Sequence, residues 1–209
     1  MPAIIDISRP LSSRTAVWPG DRAVEPSWTA RREDGSAVNV GALSLSLHAG
    51  THADAPLHHD SEGDAVSQLP LSSFIGPAAV VDVTGVDVIR PADLRQQPVP
   101  LRARVLFKTS YSRVPTYEWR GDFSSVAPAT IEWLSERGVV LVGTDAPSVD
   151  PADSTALEAH RALQRCGIVN LESLCLCGVT PGTYRLVALP LRIEGMDASP
   201  VRAVLFDEA

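Results

Sequence analysis

The chain of 209 residues is 44% hydrophobic and 21% charged, an ordinary balance for a globular protein with one apolar core. Its formal net charge of −7 argues against a surface for nucleic acid or anionic membranes, which would be basic. No segment approaches the roughly 20 consecutive apolar residues of a membrane-spanning helix. We therefore expect one domain over residues 1–209, with no nucleic-acid or membrane partner.

The N-terminal sequence and the cysteines both favour a cytoplasmic protein. MPAIIDISRP has no basic region followed by a long apolar run, so it does not resemble an export signal. Cys166, Cys175 and Cys177 do not have the spacing of a disulfide framework. Cys175 and Cys177 form a C-x-C pair that could bind a soft metal, but their apolar neighbours favour buried structural cysteines.

The N-terminal part of the chain predicts two strands around an irregular segment. Residues 3–8 form the first strand, and prolines between residues 10 and 26 then disfavour helix. In NVGALSLSLHAG, residues 39–50, leucines alternate with polar residues. Leu43, Leu45 and Leu47 are therefore expected to face the core, with His48 on the polar face at the end of the strand.

The remainder of the chain alternates strand-like and helical segments. Apolar runs predict strands at residues 78–85, 104–110, 139–145, 168–174, 184–191 and 200–206. Capping signals predict helices over residues 90–97, over residues 127–138, and from Asp153 or Ser154 to Gly167. Several connections between strands are too short for a helical crossover. This order predicts an α/β fold with a mixed sheet.

Four of the five histidines lie in HAGTHADAPLHH, residues 48–59. His48, His52 and Asp54 combine imidazole and carboxylate groups, the ligand set that suits zinc and its first-row neighbours. Gly50 permits a sharp turn between the two histidines, so that ligands on either side of it can converge. The spacing favours a metal site, and a solvated histidine-bearing loop is the alternative.

Two distant residues are candidates to complete this site. His160 lies on a predicted helix, and Glu172 is a lone acid among apolar residues, where burial without a partner would cost several kcal/mol. Taken alone, His160 is equally well interpreted as a metal ligand or as an ordinary residue on a helix face. Glu172 is equally well interpreted as a metal ligand or as a glutamate that faces water. Three imidazoles and two carboxylates exceed the usual set around one catalytic zinc. They suit two ions about 3.5–4 Å apart, with a further histidine left for proton transfer.

The same residues carry a family resemblance. HAGTHADAPLHH resembles the H-x-G-T-H-x-D-[AT]-P-x-H signature of the metal-dependent cyclase-like hydrolases, and the similarity extends over residues 3–206. Within that superfamily, the segments AVWPGD and GTDAPSVDP are similar to those of the bacterial kynurenine formamidases, or arylformamidases. The resemblance implies a mixed β-sheet flanked by helices, of the swivelling β/α/β type, and a homodimer.

The resemblance also implies a role for each motif residue. Two zinc ions, or manganese or cobalt in their place, would be bound by five ligands with both carboxylates bridging: His48, His52, Asp54, His160 and Glu172. His58 would donate and accept the proton, and Trp18 would pack on the aromatic ring of the substrate. His59 lies one residue beyond the signature and is left without an assigned role.

The implied reaction is the hydrolysis of N-formyl-L-kynurenine to L-kynurenine and formate, a step of tryptophan degradation. A serine hydrolase route is disfavoured because the sequence contains no G-x-S-x-G motif. Two alternatives stay open. One is another amide hydrolase of the same superfamily, such as an isatin hydrolase, and the other is a non-catalytic metal-binding protein.

Overall fold

The computed structural model describes residues 3–95, 99 and 103–207. Its strands are β1 (Ile4–Asp6), β2 (Glu25–Ala30), β3 (Val40–Ser44), β4 (His52–Asp54), β5 (Ile75–Asp82), β6 (Val88–Ile89), β7 (Arg104–Lys108), β8 (Ser125–Val126), β9 (Leu141–Thr144), β10 (Val169–Glu172), β11 (Gly182–Val187), β12 (Ala198–Pro200) and β13 (Val204–Phe206). Its α-helices are α1 (Pro91–Leu94), α2 (Pro128–Ser135) and α3 (Glu158–Cys166). None of the helices in the described part of the chain is long and apolar enough to cross a membrane.

Nine strands form the main sheet, in the order β1-β13-β11-β5-β7-β9-β10-β4-β12. The inner strands β5, β7, β9 and β10 run parallel to one another. Every other pairing in this sheet is antiparallel. The sheet is therefore mixed, and the predicted α/β class is confirmed.

The two faces of the sheet bury separate apolar clusters, because successive side chains of a strand point to opposite faces. Along β5, Ala78 and Val80 belong to one cluster, while Ala79 and Val81 belong to the other. The second cluster includes side chains from α1, α2 and α3. The first consists of side chains from strands, among them β4 and β13, and from connecting segments such as the one after β1, which contains Ile7. Within the described residues, the helices thus cover one face of the sheet.

The strand predicted over residues 39–50 is wrong in length and in orientation. β3 ends at Ser44 and pairs with β2 in a separate two-stranded ribbon, so it has no apolar layer to face. Leu43 is 52% exposed. His48 consequently lies in a turn after the strand rather than at its end. Alternation identified an extended segment here, but not what that segment packs against.

The helix predicted from Asp153 or Ser154 begins four or five residues later than expected, at Glu158. The carboxylate of Asp150 accepts hydrogen bonds from the backbone N–H groups of Ala159 and His160. Asp150, which lies before the segment predicted to be helical, therefore caps the start of α3. Its predicted end is confirmed, since Gly167 follows Cys166 with φ of 64°.

The other predicted elements are found with shifted ends. α2 begins at Pro128 as expected, and the segment 200–206 divides into the end of β12 and β13. Residues 96 and 97 of the predicted helix 90–97 lie outside the described residues. All three cysteines are free, but Cys177 is exposed and Cys166 and Cys175 are only half-buried. The expectation of buried cysteines is wrong because Leu174 and Leu176 take the core positions of the segment after β10.

Leu106 on β7 and Leu43 on β3 give a direct test of this packing. Leu106 is fully buried in the first apolar cluster, so Leu106→Ala should lower the free energy of unfolding by about 2–5 kcal/mol. Leu43→Ala should change it by less than about 0.5 kcal/mol. Urea unfolding of both variants measures the difference. A loss of equal size for Leu43→Ala would contradict its exposure.

Candidate metal centre

Two short buried strands, β4 and β10, form the floor of the site. They pair antiparallel in a register that puts His52 opposite Glu172 and Asp54 opposite Asn170. Residues two apart on a strand point to the same face, so all four side chains project from one face. The Nδ2 group of Asn170 donates hydrogen bonds to Asp54 Oδ2 at 2.9 Å and to Glu172 Oε1 at 3.2 Å. The amide therefore fixes both carboxylates.

The turn before β4 brings His48 back to these strands. Gly50 adopts φ of +66°, and a Cβ atom there would lie 2.7 Å from the Cδ2 atom of Leu11. A side chain at this position would be both strained and crowded. The turn brings His48 Nδ1 to 3.0 Å from Asp54 Oδ1, and the carbonyl of Gly50 lies 3.0 Å from His52 Nδ1.

Helix α3 supplies His160, which the sequence places more than a hundred residues from the histidine motif. Asp150 Oδ2 lies 2.7 Å from His160 Nδ1 and also accepts the backbone N–H of His160. The opposite ring nitrogen, Nε2, lies 3.5 Å from Asp54 Oδ2 and 3.4 Å from Glu172 Oε1. Asp150 thus orients the ring toward the two buried carboxylates.

The five residues predicted as ligands are all brought together. Ligating atoms of His48, His52 and Asp54 lie within 4.8 Å of one another, as do those of Asp54, His160 and Glu172. The two groups share Asp54, and each could hold a metal ion.

The hydrogen bonding of the cluster fits a bound metal. His52 Nε2, Asp54 Oδ1 and His160 Nε2 are buried and make no hydrogen bond within the described residues. Orphaned buried polar atoms are costly, and a cation at this point would satisfy them. The far nitrogens of His52 and His160 are held by oxygen acceptors. Metal-ligating histidines are oriented in this way.

The electrostatics of the cluster favour positive charge at its centre. Burial opposes a charge on His52, yet the carboxylates of Asp54 and Glu172 raise the pKa of its imidazole to about 10. Burial likewise opposes charge on His48, and the adjacent carboxylates of Asp197 and Asp54 raise its pKa to about 9. Burial works against ionisation of Asp54, but the adjacent histidines hold its pKa well below the usual range. The buried carboxylates therefore keep their charge and attract a cation.

His58 lies at the edge of this cluster on a 3₁₀ turn, Pro56–His58. Its ring centroid is 4.3 Å from that of His48 and 5.6 Å from that of His160. The Oδ2 atom of Asp197 lies 3.4 Å from His58 Nδ1 and 2.9 Å from His48 Nε2. One carboxylate thus contacts both a ligand candidate and the histidine predicted to transfer the proton.

A cavity of about 350 Å³ opens onto the cluster. Its wall includes His48, His52, His58, His160 and Glu172. Trp18 also lines it and makes edge contacts with Trp119 and Phe123, with ring centroids 5.6 and 6.2 Å apart. Trp18 is therefore part of an aromatic group beside the site. His59 lines a second cavity instead, and its Nε2 atom lies 3.0 Å from Gln164 Oε1.

Sequence reasoning missed three polar residues that support the cluster. Asn170 had a usable signal, because it lies two residues before Glu172 on the same predicted strand. Asp150 and Asp197 had none, since each contacts the site through the pairing of distant elements. The metal groups found within the described residues contain no cysteine, so the alternative of a C-x-C metal site gains no support.

Comparisons with known proteins agree with this geometry. The family model "Putative cyclase" matches residues 5–151, and the chain belongs to this family. It is 57% identical over 207 residues to the kynurenine formamidase of Salinibacter ruber (strain DSM 13855 / M31), covering 98% of each chain. The resemblance to kynurenine formamidases that the motifs predicted is thereby confirmed.

Solved structures show the same fold. A potential metal-dependent hydrolase with cyclase activity superposes with a TM-score of 0.86 at 28% identity, over the full length of both chains. Isatin hydrolase A from Ralstonia solanacearum superposes with a TM-score of 0.83 at 26% identity, covering 99% of this chain and 92% of the other. The fold of this chain is thus shared with a potential metal-dependent hydrolase and with an isatin hydrolase.

Asn170→Ala tests whether the amide holds the two carboxylates. Loss of the donor leaves buried acceptors unsatisfied, so unfolding of the metal-free protein should become easier by about 1–3 kcal/mol. Asn39→Ala is the matched control, because Asn39 is exposed just before β3 and accepts one backbone hydrogen bond from Arg32. Urea titration of both variants after chelation gives the comparison. Equal effects would show that the amide has no special role at the site.

Proposed function

We propose that this chain is a metal-dependent arylformamidase that hydrolyses N-formyl-L-kynurenine to L-kynurenine and formate. The observation that carries the proposal is the five-residue cluster that opens into an aromatic-walled cavity. The close kynurenine formamidase relative supports the choice of substrate. The ligands we propose are those predicted from the sequence: His48, His52, Asp54, His160 and Glu172. Zinc is our first choice, two ions per chain, with manganese or cobalt as substitutes.

Divalent cations, when bound, polarise a carbonyl oxygen and lower the pKa of a water molecule toward neutrality. The protein contributes the geometry that makes this useful. Asn170 and Asp150 keep the ligand side chains in one orientation, so little rearrangement is needed during the reaction. The aromatic wall formed by Trp18 and Trp119 packs against the aryl ring of the substrate and excludes bulk water on that side.

His58 is our candidate for proton transfer. When the amide C–N bond breaks, the aryl nitrogen leaves as an amine and must gain a proton. His58 lines the cavity and is partly exposed, with its Nδ1 atom near Asp197. Asp197 thereby leaves Nε2 as the atom that faces the substrate and exchanges the proton.

An isatin hydrolase is the alternative within the family, since one such enzyme shares the fold. A non-catalytic metal-binding protein is the alternative from another class. The cavity beside the cluster argues against it, because a purely structural metal site needs no access for a ligand. The homodimer, the cytoplasmic location and the single domain over residues 1–209 stay predictions.

A chelation assay tests the function. Purified protein should hydrolyse N-formyl-L-kynurenine, lose this activity after EDTA treatment and dialysis, and regain it with added Zn²⁺, Mn²⁺ or Co²⁺. Metal content is measured on the same samples. Isatin, tested in parallel, should be a much poorer substrate. A strong preference for isatin would refute the substrate, and turnover unaffected by complete metal removal would refute the metal dependence.

The proton-transfer role is tested by His58→Ala. We expect kcat to fall by about 10²–10⁴-fold, the usual contribution of a positioned acid or base, with bound metal unchanged. His59→Ala is the matched control because the neighbouring histidine lines the other cavity, and it should keep kcat within a few-fold. Near-normal turnover by metal-loaded His58→Ala would rule out the assignment.

A further inference from the structure

The cavity beside the candidate metal ligands is lined by a positively charged side chain that the proposed chemistry does not use. Arg9 lines this cavity and is half-buried. It forms no salt bridge with any residue in the described ranges. Its Nε atom is buried and makes no hydrogen bond there. A partly desolvated guanidinium that forms no ion pair is costly, which points to a negatively charged ligand.

Two hydrogen bonds and a contact with an aromatic ring hold the guanidinium of Arg9 in position. Its Nη1 group donates to the carbonyl of Val114 at 3.0 Å, and its Nη2 group donates to the carbonyl of Tyr111 at 3.3 Å. The guanidinium carbon lies 5.6 Å from the centre of the Tyr111 ring. These neutral partners fix the group in place without neutralising its charge. A guanidinium has five N–H donors. Two are used here and the Nε donor is buried, so the second N–H groups of Nη1 and Nη2 remain for a ligand.

Hydrogen bonds also connect the backbone of Arg9 to the segments that carry the proposed ligands. Its backbone N–H donates to Thr51 Oγ1 at 2.8 Å, and Thr51 stands between Gly50 and His52 in the turn that forms the site. The hydroxyl of Thr51 in turn donates to the carbonyl of Ser173 at 2.7 Å, next to Glu172. The backbone at Arg9 is therefore fixed relative to two of the proposed ligands.

The acidic residues on the same cavity wall have other partners. Glu118 accepts a hydrogen bond from Arg120 Nε at 2.6 Å, and Asp21 accepts one from the hydroxyl of Ser46 at 2.7 Å. Both line the cavity with Arg9, yet neither is within ion-pair distance of it in the described structure.

Burial raises the pKa of the Asp145 carboxyl, and the nearby charge of Arg9 opposes part of this shift. Asp145 accepts hydrogen bonds from Thr109 and Ser112 instead and forms no ion pair with Arg9 in the described structure, so the guanidinium can still pair with a ligand.

We propose that Arg9 binds the α-carboxylate of the substrate and so selects formamides that carry an amino-acid group. This inference rests on the proposed arylformamidase function and adds a specificity-determining residue to it. Guanidinium and carboxylate form strong charge-assisted hydrogen bonds. Because the carboxylate is remote from the bond that breaks, the contact is equally strong before and during the reaction, and it lowers KM rather than raising kcat.

Two substrates separate this role from a structural one. N-Formyl-L-kynurenine carries the α-carboxylate, whereas 2′-formamidoacetophenone keeps the aryl formamide and ketone but lacks the amino-acid group. Wild-type protein should show at least about a tenfold lower KM for the first, as one charged hydrogen bond predicts. Arg9→Gln should raise KM for N-formyl-L-kynurenine about 10- to 100-fold with kcat little changed, and should leave both constants for the acetophenone nearly unchanged.

The controls distinguish the possible failures. Arg9→Lys should recover part of the lost affinity, and Arg14→Gln, on an exposed arginine outside the cavity, should behave as wild type. Equal losses on both substrates for Arg9→Gln, or no difference in KM between the two substrates for wild type, would overturn the role of Arg9 while leaving the formamidase function intact. If metal-loaded wild type hydrolysed neither substrate, the function itself would fail, and Arg9 would lose its role with it.

Discussion

The register between β4 and β10 is the constraint on which the rest of the site depends. It sets His52 against Glu172 and Asp54 against Asn170, so two strands of three and four residues supply three ligand candidates and the amide between them. A slip of one residue would turn these side chains to the other face of the sheet. The pairing of β12 with the free edge of β4 then brings Asp197, which immediately precedes β12, to His48 and His58.

Buried charge explains why the cluster needs this rigid frame. Two carboxylates that are almost inaccessible to water would be destabilising on their own. Here the backbone N–H of Val149 and the amide of Asn170 donate to Glu172, and three imidazole rings surround the carboxylates. These contacts preserve negative charge at the centre while leaving nitrogen and oxygen atoms unpaired. A cation completes such an arrangement better than hydrogen bonds within the chain do.

The sequence predicts the part of this site that neighbouring residues form, and it leaves open the part that depends on distant segments. HAGTHADAPLHH places His48, His52 and Asp54 within seven residues, so their convergence needed one glycine turn and could be predicted. His160 and Glu172 stayed ambiguous by residue type alone and were assigned through family resemblance, because only the packing of α3 and the pairing of β10 bring them to the motif. Asp197 gave no local signal. The misplaced strand over residues 39–50 had the same origin, since alternation does not specify the surface a strand packs against.

The two adjacent histidines at the end of the motif show how local geometry separates otherwise equal residues. A 3₁₀ turn advances about 120° per residue, so the side chains of His58 and His59 diverge at its end. His58 enters the cavity that contains Trp18 and Arg9, whereas His59 turns to Gln164 on α3. Burial and the nearby His160 lower the pKa of His59, which favours a neutral ring held by packing. The two residues have the same side chain and are adjacent in the sequence, but the backbone turn gives only His58 access to the aromatic cavity.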